Sequence, residues 1–254
     1  MTRTSPNVLI RPLATDPASI STTAKTISLS FAPDPLIQWL MQDQAKPGWE
    51  GLDPALQKWQ ELRMLDNAYR GLAIEAVTDE VTPRQVGACF LFPPKPLRRW
   101  FKPAWWAVLF RVLYKKYALK PTETLSNAEK IRVMYEAHAA AASELRASYP
   151  RNTLYYLEIA AVHPDSQGLG VGGKLMRAIN EQLGDSPCFL ECTNVKNVPF
   201  YEKYGFQMVQ ERELKLRNKD DSCILYYMVR DPLASVLTGY SDRKSSVVDV
   251  VASM

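Results

Sequence analysis

The run QGLGVGGKL, residues 167–175, sets Gly168, Gly170, Gly172 and Gly173 within six positions, a density of glycine that lets backbone come close to a phosphate. Three chemistries share that spacing. Gly168-x-Gly170-x-x-Gly173 is the dinucleotide fingerprint, Gly168-x4-Gly173-Lys174 is a nucleotide phosphate loop short of its last residue, and Gln167-x-x-Gly170-x-Gly172 suits the diphosphate of coenzyme A. In each, bare backbone approaches the phosphate oxygens, and the unpaired N–H groups of the next helical turn supply donors and a favourable dipole without a metal. The competing reading is a turn whose glycines only make room for packing.

Neighbouring residues separate the three. A nucleotide phosphate loop needs a hydroxyl after its lysine to hold magnesium, and that position is the apolar Leu175. The dinucleotide reading gains from Glu191, about twenty residues on, where a ribose-binding acid belongs. It loses because HPDSQ separates Val162 from Gly168, whereas that motif's first glycine follows its strand directly. Only about sixty residues then remain, too few for a doubly wound sheet. The coenzyme A reading asks for a strand, a polar link, a glycine turn and a helix, and all four are present.

The elements that must position the loop can be read in order. Val8–Leu13 is a first strand, followed by an Ala/Ser/Thr-rich helical stretch to about Leu40, broken at Pro33 and Pro35. Asp53-Pro54 opens a helix that Gly71 closes. LAIEAV (72–77) and QVGACFLF (85–92) are strands about a polar turn, and Ser126-x-x-Glu129 is a capping box opening a long Ala-rich helix to about Ser148. YYLEIAAV (155–162) has the continuous apolar character of a central strand buried on both faces. After the loop, Leu175, Ile179 and Leu183 recur at helical spacing until Gly184. CFLECT (188–193) is a strand, NVPFYEKY a short helix, Gly205 a turn, and FQMVQEREL and CILYYMV the last two strands. The Ser-, Val- and Asp-rich tail from Asp231 reads as a frayed helix or disordered chain.

YLEIAAVHPDSQGLGVGG and NVPFYEKYGF, one helix and one strand apart, together resemble the two signatures of the GNAT acetyltransferase superfamily: its acetyl-CoA strand and loop, and its FYEKxGF run. Within it, FLECTNVKNVPFYEKYGF is most similar to puromycin N-acetyltransferase-like members, with a weaker likeness to arylalkylamine acetyltransferases. The specific likeness spans about residues 154–230. It implies an α/β fold of the α+β kind, a mixed, mainly antiparallel sheet of about seven strands flanked by helices. Residues 94–150, longer than the family's, are then a helical insertion in a single domain of residues 1–230, followed by the tail 231–254. The resemblance further implies acetyl-CoA as co-substrate. The backbone of Ala160, Ala161 and Val162 would pair with its pantetheine, residues Gln167, Gly168, Leu169, Gly170, Val171, Gly172 and Gly173 would hold its diphosphate, and Asn194 would be a further contact. Asn197 is expected as the N-cap of the next helix.

Acetyl transfer from a thioester to an amine needs a neutral amine and a stabilised leaving thiolate. An alkyl ammonium with a pKa near 10 is about one part in a thousand neutral at pH 7, a deficit of roughly 4 kcal/mol, of which a positioned base offsets part. Strand alternation puts Tyr156, Glu158, Ala160 and Val162 on one face, which makes Glu158 the first candidate base, with His163 and Glu191 in reserve. The resemblance places the general acid at Tyr201, and a phenol, protonated at pH 7, can donate to a departing thiolate. Phe200 and Tyr204 are expected to be aromatic anchors.

Composition excludes several other classes. The net charge of +4 is too mild for a dedicated nucleic-acid binder. Eight of the 31 basic residues fall between Pro94 and Pro121 with no acid among them. That stretch, RRWFKPAWWAVLFRVLYKKYALK at 98–120, is apolar well around the helical cylinder, which suits a wall of the acceptor pocket or an interface more than membrane contact. The four cysteines lack CxxC spacing and the two histidines lie far apart, so neither a metal site nor a disulfide framework is expected. With neither a signal-peptide core nor an eighteen-residue apolar run, the expected location is the cytoplasm. The expectation is an N-acetyltransferase that moves an acetyl group from acetyl-CoA to a primary amine of a small molecule, an aminonucleoside or other xenobiotic, by direct transfer in a ternary complex. The alternatives are a protein or peptide acetyltransferase and a non-catalytic coenzyme A-binding module.

Overall fold

The structure, a computed structural model, describes residues 7–41, 60, 61, 63, 64, 71–94, 128–217 and 220–233. The basic aromatic segment 98–120, the residue Ser126 and most of the helix expected between Asp53 and Gly71 lie outside them, as does the tail beyond residue 233. Seven strands form one sheet: β1 (Val8–Pro12), β2 (Leu72–Thr78), β3 (Gln85–Phe92), β4 (Tyr155–Val162), β5 (Cys188–Cys192), β6 (Phe206–Lys215) and β7 (Ser222–Arg230), in the order β1-β2-β3-β4-β5-β7-β6. Only β4 and β5 pair in parallel; every other neighbour is antiparallel. This is the mixed, mainly antiparallel sheet the sequence led us to expect. Among the described residues the helices that flank it include α1 (Pro17–Phe31), α2 (Pro35–Met41), α3 (Ala128–Ala147), α4 (Val171–Leu183) and α5 (Val198–Glu202).

Local chemistry fixes the ends of these helices. Asp16 caps α1, accepting from the N–H groups of Ala18 at 3.1 Å and Ser19 at 3.0 Å, with Pro17 at the first turn where no N–H is needed. Asp34 caps α2 through Leu36 N–H at 2.9 Å. Gly170, in the left-handed region at φ 80°, starts α4, and Gly184 ends it.

Adjacent residues of β3 show which helix covers which face. Cys89 and Leu91 pack with Val171, Leu175, Met176 and Ile179 of α4, whereas Ala88 and Phe90 pack with Ala24 and Ile27 of α1 and with Met64. On the α1 face, α3 also lies across β5–β7, Ala137 and Ala141 against Leu214 and Tyr227, Ala142 against Phe189 and Val229. The five buried apolar side chains of α4 each contribute about 1.5–3 kcal/mol by leaving water. Lys130 pins α3 to α2 and to the β6–β7 turn: its buried ammonium donates to Trp39 O and to Asp221 Oδ2, both at 2.7 Å.

Two features of β4 place the site. The register with β3 shifts between Phe90, opposite Ile159, and Leu91, opposite Leu157, so Glu158 is an extra residue, a β-bulge. Leu157, Ala160 and Val162 therefore face α4, while Ile159 and Ala161 face α1. The expected single face holding Tyr156, Glu158, Ala160 and Val162 is corrected by this bulge. Tyr156 packs with Phe189 on the α3 side, and Glu158 bonds Arg63 on the α1 side, away from Ala160 and Val162. Nor is β4 buried continuously on both faces; its exposure alternates from Tyr156 on, the half-buried residues there being Tyr156, Glu158, Ala160 and Val162. The second feature is that β4 and β5 pair only from Tyr155 with Cys188 to Leu157 with Leu190, and then separate.

Candidate active site

Beyond the Leu157–Leu190 pair the parting strands leave a cavity of about 1000 Å³. Glycines 168, 170, 172 and 173, Val162 and Tyr201 line it, together with Asp34, Arg63, His138, Glu158 and Glu191. The sheet is thus open from the α4 face through to the α1–α3 face. Of the sequence-derived candidates, the structure brings Tyr201, Glu158, Ala160, Val162, Gln167, Asn194 and the four glycines onto this one cavity.

Along β4, the N–H of His163 donates to Val86 O of β3 at 2.9 Å, so alternation turns the backbone groups of Ala161 to β3 and those of Ala160 and Val162 to the open edge. Two side chains already hold Val162 there. Its N–H donates to Ser30 Oγ at 3.3 Å, and its carbonyl accepts from Gln167 Nε2 at 3.0 Å.

In the glycine loop, Gly168 and Gly170 have φ of 74° and 80°, a region costly for any residue with a Cβ. A Cβ on Gly168 would meet no atom within 4 Å, so that backbone faces open space. The N-cap of α4 carries no side-chain hydrogen bond, which leaves its first N–H groups to an incoming anion. Gly172 and Gly173 answer to a second demand. A Cβ on them would lie 3.3 Å from Phe200 Cζ and 2.7 Å from the Tyr204 hydroxyl, so these two also make room for α5 and the turn after it. The residues present fit a diphosphate: bare, left-handed backbone, unclaimed helix N–H groups and no acidic side chain among residues 166–175.

Tyr201 lies on α5 among Phe200 and Phe206, with ring centroids 5.3 and 6.2 Å away. Burial first, then the nearby Cys192, Cys89 and Asp34, push its phenol above the ordinary tyrosine value. The Asn194 side chain caps the 3₁₀ turn Val195–Asn197 by accepting from Lys196 N–H at 3.1 Å, whereas Asn197 makes no side-chain capping bond. Asn197 thus holds the expected N-cap position of α5 without the expected bond. Asp34 accepts from the Thr193 hydroxyl, and burial raises its carboxyl above the usual range.

The first residue past the last β4–β5 pair is a glutamate on each strand. Glu158 Oε1 accepts from Arg63 Nε at 3.2 Å and from its Nη2 at 3.0 Å, and Oε2 is buried with no partner among the described residues. Glu191 Oε1 lies 2.7 Å from His138 Nδ1, and its Oε2 accepts from the Tyr156 hydroxyl at 3.3 Å. Burial opposes a charge on His138, but the hydrogen bond and charge of Glu191, with the charge of Glu158, outweigh it and hold the ring above the ordinary histidine value. Beneath them Tyr156 stacks between Phe92 and Phe189 at 6.2 and 4.6 Å.

Residues 119–208 match the family model of the acetyltransferase (GNAT) domain. Over that stretch the chain is similar to the GNAT acetyltransferase domain. Its structure superposes on arylalkylamine N-acetyltransferase 2 from Aedes aegypti with a TM-score of 0.56 at 14% identity, over 89% of this chain and 99% of that one. A Corynebacterium glutamicum protein described as histone acetyltransferase HPA2 and related acetyltransferase gives 0.51 at 19%, over 90% and 97%. The polyamine N-acetyltransferase of Drosophila melanogaster gives 0.50 at 14%, over 89% and 100%. The seven-stranded sheet is the GNAT fold.

The sequence motifs mark the glycine-loop side of the cavity better than the far side. No sequence motif marks Arg63, His138 or Asp34, and Glu191 carries only the weaker signal of an acid at a strand end. The small residues at 137, 141 and 142 mark the face that α3 lays on the sheet and put His138 beside it, a signal open to a closer helical reading. Of the reserve bases, His163 instead caps the turn Pro164–Ser166. Among the described residues no group of three or more His, Cys, Asp or Glu is arranged to hold a metal, and no helix is long and apolar enough to cross a membrane.

Proposed function

We propose that the protein transfers an acetyl group from acetyl-CoA to a primary amine of a small molecule by direct attack within a ternary complex. The observation that carries this reading is the split between β4 and β5, which opens Tyr201, Glu158 and the glycine loop onto one cavity. Acetyl-CoA supplies the acetyl group as a thioester and leaves as a thiol. The open edge at Ala160 and Val162 and the N–H groups at the start of α4 hold it, with Gln167, Leu169, Val171 and Asn194 completing the cradle; Ala161, expected to pair with pantetheine, instead pairs with Ala88 of β3 and takes no part. Glu158 takes a proton from the amine, and Tyr201, kept protonated by its burial, gives one to the departing sulfur. A covalent acyl-enzyme on cysteine is disfavoured, because the cavity thiols Cys89 and Cys192 are pushed up to about 12 and about 11 by burial.

The acceptor reading rests on the aromatic tier Phe92–Tyr156–Phe189, which suits an amine on a flat or apolar body. Two of the similar structures are, by name, enzymes of small amines. The likeness of FLECTNVKNVPFYEKYGF to puromycin-type enzymes adds an aminonucleoside to the candidates. We further read residues 1–230 as one domain with 94–150 inserted, and the four buried free cysteines accord with a cytoplasmic setting.

The test gives purified protein acetyl-CoA with 2-phenylethylamine, an aminonucleoside, a polyamine and a basic peptide, and follows free thiol. Thiol release with a small amine is expected, and Tyr201→Phe should slow it by about 10²-fold or more while acetyl-CoA affinity changes little. Release with the peptide alone would favour a protein acetyltransferase. If no amine releases thiol yet acetyl-CoA raises the melting temperature, the protein is a binding module.

A further inference from the structure

The glutamates at the split differ in their partners. Arg63, which holds Glu158, is a permanent cation; His138, which meets Glu191, can gain and lose a proton. An ionised carboxylate only accepts hydrogen bonds, so His138 must donate from Nδ1, and its neutral ring then carries a bare lone pair on Nε2. Nε2 has no partner among the described residues, the side chain lines the cavity and keeps 31% of its surface exposed, and the ring leans on Tyr156 at 5.2 Å. A carboxylate fixing one imidazole nitrogen while the other faces the substrate space is the arrangement of a general base.

The stoichiometry of the reaction asks for such a group. Between a bound ammonium and the product amide the nitrogen loses two protons, one before the N–C bond forms and one as the C–S bond breaks. The sulfur regains one from Tyr201, and the other goes to solvent. We propose that His138, oriented by Glu191, is a second proton acceptor alongside Glu158, and that this is what α3 contributes to the reaction. This rests on the acetyltransfer reading above. One proton passes to Glu158 and one to His138 Nε2. The imidazolium so formed stays paired with Glu191 until it releases its proton to water, and the proton on Glu158 passes by way of solvent to the Tyr201 phenolate, which restores both groups for the next turnover.

The groups that face His138 are Glu191 on β5, Tyr156 and Glu158 on β4 and Arg146 on its own helix, with Arg63 behind Glu158 and Tyr227 of β7 beside Glu191. Profiles of kcat/KM against pH with 2-phenylethylamine as the common acceptor test the assignment. His138→Gln should lower kcat/KM by about 10- to 100-fold and remove an acid limb lying above pH 6.5, while Glu191→Gln should move that limb to lower pH. Glu158→Gln should leave a residual rate that keeps the His138 limb, and the double variant should lose it. A His138→Gln profile parallel to the wild type overturns the proposal.

A second measurement does not depend on turnover. His138 and His163 are the only histidines, so their ring signals in nuclear magnetic resonance are assigned by comparison with His138→Gln. His138 should carry its neutral-form proton on Nδ1 and titrate above 6.5 in the wild type, moving down in Glu191→Gln. A proton on Nε2, or a titration unmoved by Glu191→Gln, also overturns it. Absence of thiol release from the wild type with every amine would instead strike the acetyltransfer reading.

Discussion

On the α4 side the cavity wall is backbone: left-handed glycines, helix N–H groups and the free edge of β4, all fixed by close packing of α4 and α5. On the α1–α3 side it is charge: Glu158 with Arg63, Glu191 with His138, and Asp34 beneath Thr193. The first side holds by shape and tolerates no added bulk where α4 and α5 pack, at Gly87, Gly172 and Gly173, whereas the second tolerates a change of size but not the loss of a partner. In the proposed reading a common diphosphate needs only the former, and the acceptor is chosen by the latter.

Four substitutions or titrations probe that contrast. Arg63→Met should be the most damaging to stability, because it strands a largely buried carboxylate. We expect a loss of about 3 kcal/mol in urea unfolding, mostly recovered in the pair Arg63→Met with Glu158→Gln; no recovery would mean that shape, not charge, governs that side. Gly87→Ala should cost about 2 kcal/mol on thermal melting, since its Cβ would lie 2.8 Å from Ala161 O and 2.9 Å from Leu175 Cδ1. Indifference there would break the claim that the α4 side admits no bulk. Gly168→Ala should cost about 1 kcal/mol from its φ of 74° alone, there being open space for the methyl. It should also weaken acetyl-CoA binding measured by calorimetry.

The smallest effect belongs to His138. Its folded value is raised, so the protonated pair with Glu191 stabilises the protein fully below the unfolded value of about 6.5 and is lost as pH rises through the folded value. The melting temperature of the wild type relative to His138→Gln should therefore be higher at pH 6 than at pH 9.

The same contrast explains what could be read from the sequence. A wall of backbone needs glycines and an aromatic helix in consecutive positions, so QGLGVGGKL and NVPFYEKYGF announced it, and the strand order followed from alternation and turns. A wall of charge is assembled from residues far apart: Arg63 meets Glu158 across 95 positions and His138 meets Glu191 across 53. No local pattern encodes such pairs. The bulge at Glu158 was hidden for a related reason, since YYLEIAAV is almost continuously apolar and only pairing with Phe90 and Leu91 shows the extra residue. Glu158 was nevertheless found, because a carboxylate in an apolar strand stands out, while His138 lies in an alanine-rich helix whose packing face is known only once the sheet is in place.

Among the described residues, the three residue pairs from Tyr155–Cys188 to Leu157–Leu190 are the only backbone ladder that joins the four strands β1–β4 to the three strands β5, β7 and β6. At about 3.3 Å per residue that seam is roughly 10 Å long, the span of a hinge plate between two stiff leaves. Mechanical compliance in the sheet is concentrated there. A load that widens the slot is borne by this short stitching and by the helices laid across it.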